Sequence, residues 1–180
     1  MQVLIAYHSD YGNTKQMAEA VAAGMRAAVA GLDVQLLQAA DVPPESLQAA
    51  DLIVFGTPVH MGSMAWQMKQ LIDRAGKLWM EGALEGKVGG VFATGGGFGG
   101  AGGGVEQTLI ALHANFLEHG MVVLGFPKSL PGYAEGGLHW GAYGRSGNPD
   151  GMPGSLSAGA LTAARSYGAY LATTAERLLT

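Results

Sequence analysis

The residues best suited to chemistry occupy six consecutive positions, Ser9-Asp10-Tyr11-Gly12-Asn13-Thr14, directly after the apolar run Val3-Leu4-Ile5-Ala6-Tyr7. Ser9 and Thr14 bring hydroxyl donors, and Asn13 brings amide hydrogens. Gly12 lets the backbone come close to a ligand or take a positive φ. A helix starting near Asn13 would turn unpaired N–H groups and a partial positive charge toward an anion. The loop holds no lysine, unlike the G-x-x-x-x-G-K-[ST] loop of nucleotide hydrolases. That composition suits a monophosphate that stays bound rather than a triphosphate being transferred. Ser, Asn and Thr also serve as ordinary helix caps. The position, immediately after a first strand, is what favours the anion.

Two further loops carry small and hydroxyl residues where strands are expected to end. One is Thr57–Ser63, with Pro58, Val59, His60, Met61 and Gly62, after the run Asp51-Leu52-Ile53-Val54-Phe55-Gly56. The other is Thr94–Gly104, after Val88 to Ala93. In a doubly wound parallel sheet, ligands bind outside the carboxyl ends of the strands, near the reversal of strand order. The three loops are therefore expected to converge. The tract Gly95-Gly96-Gly97-Phe98-Gly99-Gly100 satisfies G-x-G-x-x-G, but any polyglycine does. It also follows the fourth strand, where the dinucleotide fingerprint does not belong. Its alternatives are a flexible linker and bare backbone lying against a planar ring, with Thr94 at its base. Its position favours the ring.

These loops need strands and helices to hold them. Met17, Val21 and Met25 recur at four-residue spacing and predict a helix from about Lys15 to Ala30. Val34 to Leu37 reads as a second strand, and Glu45 to Ala50 as a weak helical segment after Pro43-Pro44. Met64, Met68, Leu71 and Ile72 predict a helix over 64–75, with Trp79 in the loop beyond it. Val105 to His119 reads as another helix, Met121 to Leu124 as a fifth strand, and Ser155 as the cap of a last helix. Continuous apolar strands alternating with helices predict an α/β fold. The expected core is a doubly wound, five-stranded parallel sheet in the flavodoxin-like order 2-1-3-4-5, with residues 1–180 as a single domain. Phe126 to Gly154, rich in Gly, Pro, Tyr and Trp, is too long for an ordinary loop and is expected to be functional or an interface.

Composition narrows the chemistry. The 180 residues carry ten Lys and Arg against 14 Asp and Glu, a net charge of -4, which argues against general nucleic-acid binding. With no cysteine, thiolate catalysis, thiolate metal sites and disulfides are excluded. Redox chemistry would need a bound cofactor. The His and carboxylate positions show no metal-ligand spacing. No apolar run approaches a membrane span. Met1-Gln2 runs straight into the first strand, so a cytoplasmic location is expected.

The chain resembles the WrbA-type NAD(P)H:quinone oxidoreductases of the flavodoxin-like superfamily over almost its whole length. Tyr7-His8-Ser9-Asp10-Tyr11-Gly12, Gly56 to Met64, Leu78-Trp79-Met80-Glu81-Gly82-Ala83-Leu84-Glu85-Gly86-Lys87 and His119-Gly120-Met121 carry the likeness. The Leu78–Lys87 segment is the most distinctive. The resemblance implies FMN, with its phosphate on Ser9, Asp10, Tyr11, Gly12, Asn13 and Thr14. It implies the isoalloxazine ring against Pro58, Val59, His60, Met61 and Gly62 and against Thr94, Gly95, Gly96 and Gly97. Tyr11 would also touch NAD(P)H, Trp79 would line the quinone site, and the assembly would be a homotetramer with sites completed across subunits. Where the family carries Thr-Arg-Phe, this chain has Val59-His60-Met61, which removes a fixed positive charge beside the ring. The first histidine of a family pair, a flavin contact, is Glu118 here.

The expected reaction is two-electron reduction of a quinone by NAD(P)H through the flavin, with no protein nucleophile or general acid required. The alternative is an electron-transfer flavodoxin passing single electrons between proteins. The scattered acidic residues weigh against it, because such carriers steer encounter with an acidic face. His8 and His113 are assigned no chemical role, and Met64 and Met68 are assigned to packing.

Overall fold

The computed structural model describes residues 1–97, 103–147 and 153–179. Phe98-Gly99-Gly100 of the glycine tract, and positions 148–152 of the Gly-rich stretch, lie outside the described residues. The parallel strands are β1 (Gln2–Tyr7), β2 (Asp33–Gln38), β3 (Leu52–His60), β5 (Val88–Gly95), β6 (Val122–Val123) and β8 (Gly141–Arg145). Two short antiparallel strands, β4 (Ser63–Met64) and β7 (Gly137–Leu138), pair with β3 and β8. The sheet runs β2-β1-β3-β5-β8-β7, with β6 beside the start of β5. This is the expected flavodoxin-like order.

Helices cover both faces. α1 (Asn13–Ala28) and α7 (Ala158–Leu179) pack on one side, over Val3, Ile5, Val54 and Phe92. On the other side α2 (Pro44–Ala49), α3 (Trp66–Arg74), α4 (Gly76–Met80) and α5 (Val105–Glu118) cover Leu4, Ile53, Phe55 and Val91. The central strands are buried on both faces, which is why they read as unbroken apolar runs.

The fifth position of the sheet departs from expectation. Only Val122 and Val123 pair with Val88 and Gly89. The chain then leaves the sheet at Gly125-Phe126-Pro127, where proline has no N–H to extend the ladder. It forms the short helix α6 (Tyr133–Gly136) and returns as β8, which pairs Phe92–Gly95 in parallel. Val91 sits at the break, and the buried Tyr167 hydroxyl spans it, accepting from the Val91 N–H and donating to the Leu124 carbonyl. The expected strand was thus half right, and the stretch read as irregular supplies the other half.

Smaller corrections have local causes. β3 continues through Thr57-Pro58 to His60, because β5 keeps pairing with it after β1 has ended at Tyr7. Met61 and Gly62 both take positive φ (48° and 83°), forming the tight turn that suits a twisted hairpin. Met64 therefore lies on β4 and not on the helix, which starts at Trp66. Trp79 is helical, in α4. The last helix is capped by Ser157, whose Oγ accepts from the Ala160 N–H at 3.1 Å, and not by Ser155.

His113 ties α5 to the inserted segment. Its Nε2–H donates to the Trp140 carbonyl at 2.5 Å, while buried Nδ1 has no partner among the described residues. Burial lowers its pKa below the usual 6.5, partly opposed by the Trp140 carbonyl. Burial lowers that of His119 as well, partly opposed by Glu118. A folded pKa below the unfolded one means the unfolded chain binds more protons, so this stability is present above the unfolded pKa and is lost as pH falls through the folded value. The urea midpoint is expected to drop between about pH 7.5 and about pH 5.5. His113→Gln, which keeps a donor but cannot titrate, is expected to flatten part of that slope.

Candidate active site

The register of the three central strands sets the site. Tyr7 lies beside Gly56, and Pro58 beside Thr94, so the loops after β1, β3 and β5 leave the sheet at one level. They enclose a cleft of about 220 Å³. Ser9, Asp10, Tyr11, Asn13 and Thr14 form one wall; Pro58, Val59 and His60 form the second; Thr94, Gly95 and Gly96 form the third. The convergence expected from loop position is observed.

The first wall is rich in hydroxyls and lies at the start of α1. Gly12 caps α1 with φ 88°, and a Cβ there would meet nothing within 4 Å. The Gly12 N–H donates to Ser9 Oγ at 3.1 Å, which leaves the serine hydrogen free to donate elsewhere. The buried Thr14 and Thr94 hydroxyls share a hydrogen bond of 2.7 Å. Either can donate to the other, so one hydroxyl hydrogen remains for a ligand. Asn13 lines the same wall and also has a structural partner. Its amide donates to the Gly154 carbonyl at 3.0 Å, which locks the loop to the segment before α7. Tyr11 stands 71% exposed at the rim.

The second and third walls are backbone and small side chains. Thr57 Oγ1 accepts from the Ala65 N–H at 3.0 Å and fixes the β3–β4 hairpin. The Tyr143 hydroxyl donates to the Gly95 carbonyl at 3.0 Å. Burial pushes the Tyr143 pKa up, against the lowering effect of neighbouring Arg145, so this phenol remains a donor at neutral pH. Arg145 in turn donates to the Gly97 carbonyl. Gly97 directly follows Gly96 of the third wall.

Met61 and Gly62 form the hairpin tip, with Met61 fully exposed and Gly62 against Gly104, whose Cβ would lie 2.5 Å from the Gly62 Cα. Neither lines the cleft. Trp79 is also outside it. It lies toward the end of the sheet where β5 begins, with Nε1 donating to the Glu118 carbonyl at 3.1 Å. Glu118, which stands where the family carries a histidine, is beside Trp79.

Two features escaped the sequence reading. Ser146 completes the third wall, because its N–H donates to the Gly95 carbonyl at 2.9 Å as β8 ends. Its only signal was that it falls in a stretch too long to be an ordinary loop. The other is a cluster at the mouth: Asp10 Oδ1 is hydrogen-bonded to His8 Nε2 at 3.1 Å, and Asp10 Oδ2 lies 3.2 Å from His60 Nε2. His8 directly follows β1 and His60 ends β3, so the parallel pairing of those strands brings the two rings to one carboxylate. Among the described residues, no group of His, Asp and Glu is arranged to hold a metal ion.

Comparison with known proteins agrees with this architecture. Residues 1–129 match the family model of NADPH-dependent FMN reductase. The chain is 37% identical to the NAD(P)H dehydrogenase (quinone) of Geotalea uraniireducens, covering 99% of both chains. It is 36% identical to the protein of the same name from Chromohalobacter salexigens, covering 98% of both. A WrbA-like flavodoxin structure from Agrobacterium tumefaciens superposes with a TM-score of 0.72 at 30% identity, covering 98% of each chain. With the cleft at the strand ends and this likeness over its full length, the chain belongs to the NADPH-dependent FMN reductase family, in its WrbA-type branch.

Proposed function

We propose that this protein is an FMN-dependent NAD(P)H:quinone oxidoreductase. The observation that carries the reading is the cleft itself: a lysine-free anion cradle opening directly onto a wall of backbone, glycine and small side chains. The residues fit a flavin mononucleotide. Gly12 leaves the cradle open on the side where a Cβ would stand. The hydroxyls of Ser9 and Thr14, with the first N–H groups of α1, can take a phosphate dianion without a lysine.

When bound, the flavin supplies the electron chemistry. The chain's own residues bind and orient. Ser9 and Thr14 hold the phosphate end, and Asn13 fixes the loop through Gly154. Pro58, Val59 and His60 and the Thr94-Gly95-Gly96 segment bound the ring. Tyr143 and Arg145 hold the glycine backbone in place, so that ring and wall meet without water between them. Exposed Tyr11 stands where a nicotinamide nucleotide would enter.

Trp79 serves the quinone site across a subunit boundary in this reading. It is 51% exposed, beside the exposed Met80 and on the same chain as exposed Leu117, Val122 and Trp140. Such apolar surface favours self-association, here into the homotetramer that would carry Trp79 to a neighbouring cleft. Among the described residues no helix is long and apolar enough to cross a membrane, and a cytoplasmic location fits.

The test is direct. Purified protein loaded with FMN is mixed with NADH or NADPH, with and without a benzoquinone. Nicotinamide oxidation is expected to accelerate at least tenfold with the quinone. An equal rate with and without it would remove the proposal.

A further inference from the structure

The His8–Asp10–His60 cluster sits at the mouth of the cleft, where Asp10 and His60 also form part of the wall. Among the described residues of the cleft wall, Asp10 is the only carboxylate, His60 the only imidazole and Tyr11 the one other titratable group. Arg145 lies behind the wall on β8 and is engaged with the Gly97 carbonyl. The bridge is directional. Asp10 Oδ2 faces His60 Nε2 at 3.2 Å, and its other oxygen is hydrogen-bonded to His8. His60 Nδ1 has no partner among the described residues, and the side chain is 44% exposed, so that nitrogen is open to a ligand and to water.

Quinone reduction needs such a group. It consumes two electrons and two protons. A hydride, drawn from NAD(P)H, brings both electrons and one of the hydrogens. The product of that transfer is a hydroquinone monoanion, which requires one more proton at oxygen. We infer that His60 is the proton donor to the quinone oxygen and that Asp10 is its positioning residue, with His8 fixing the carboxylate. The proton leaves Nδ1 for the hydroquinone oxygen. The proton on Nε2 stays on the Asp10 side, so the ring becomes neutral in a single tautomer and is re-protonated at Nδ1 from solvent. An aspartate that orients a histidine and selects its tautomer plays the same part in hydrolytic triads. The histidine stands where the family carries arginine, a residue that keeps its proton. This inference rests on the quinone reductase reading.

The experiment compares acceptors that differ in proton demand. FMN-loaded wild type, His60→Ala and Asp10→Asn are reduced with NAD(P)H, then re-oxidised in single turnovers by 1,4-benzoquinone or by ferricyanide, which takes electrons without a proton. The ratio of the quinone rate to the ferricyanide rate is expected to fall about a hundredfold in H60A, the lower end for general acid catalysis because water can reach the site. It is expected to fall about tenfold in D10N. Added imidazole is expected to restore much of the H60A ratio. His60→Gln, which keeps a polar side chain at the hairpin, is expected to show the same fall should alanine loosen that hairpin.

Fluorescence titration of the apoproteins with FMN supplies a readout apart from turnover. D10N removes a carboxylate from the rim of an anion site, so its FMN affinity is expected to hold or rise while its ratio falls. A fall in both would mean a collapsed loop and would overturn the positioning role of Asp10. An H60A ratio within about threefold of wild type overturns the proton donor while the quinone reductase reading stands. Wild type that benzoquinone cannot re-oxidise removes both.

Discussion

Ser9→Asp is expected to weaken FMN binding by about a hundredfold or more, with the fold intact. The substitution separates two duties of one side chain. Ser9 Oγ accepts the Gly12 N–H and so shapes the loop before α1, and an aspartate oxygen can accept the same bond. What changes is charge. A carboxylate in this wall of the cleft faces the place of a phosphate dianion, and like charges about 4 Å apart repel by about 4 kcal/mol at an effective dielectric of about 20. Each 1.4 kcal/mol is about tenfold in affinity, so even half of that figure is a loss of more than tenfold. The absence of lysine from the loop leaves nothing to compensate. Fluorescence titration of apoprotein checks the affinity, and far-UV circular dichroism with a thermal scan checks the fold. Unchanged FMN affinity would place the phosphate elsewhere.

Gly168→Val is expected to cost about 3 kcal/mol or more of stability, which for a chain of this size is a fall of roughly 10 °C in Tm. The reason lies at the crossing of α1 and α7. A Cβ on Gly168 would stand 2.1 Å from the Val21 carbonyl oxygen, and one on Gly24 would stand 1.9 Å from the Arg165 carbonyl oxygen. Each helix thus presents its glycine to the other's backbone, flanked by the buried Ala18, Ala22, Ala164 and Ala172. Backbone cannot rotate away as a side chain can, so the helices must part and lose contacts along their length. Local preference points the other way, since valine is the better helix former, and a loss would therefore be purely tertiary. Gly76→Ala is the control. It lies in α4, where a Cβ meets nothing within 4 Å, and it is expected to hold or raise Tm. Calorimetry on the two variants decides. A Gly168→Val protein as stable as wild type would mean that the two helices are not held at this distance.

The order of effects is consistent with how the molecule is built. Loss of ligand affinity comes from one charge at a loop, and loss of stability from one methyl-bearing carbon between two helices. The two sites are independent, because among the described residues the hydrogen bonding of Ser9 stays within its own loop, at Gly12. Their effects are expected to add in a double variant.

The apolar runs Val3–Tyr7, Leu52–Phe55 and Val88–Ala93 determined the central strands by themselves, since a strand buried on both faces has no polar positions to interrupt it. Their spacing fixed the crossovers, and with them which loops meet. That was enough to name the walls of the cleft, from Ser9 to Thr14, at Pro58 to His60, and at Thr94 to Gly96. Other features arise only when distant segments meet. β8 reads as Gly-Ala-Tyr-Gly-Arg, with no apolar pattern, and is a strand because β5 offers it an unpaired edge. Ser146 reaches the cleft through that pairing. Trp79 falls away from the cleft of its own chain because α3 and α4 lead back to the start of β5. The loop at Ser9–Thr14 was legible because its chemistry is local. The Asp10 bridge was not, because His8 and His60 are separated by more than a crossover in sequence and become neighbours only where two parallel strands end side by side.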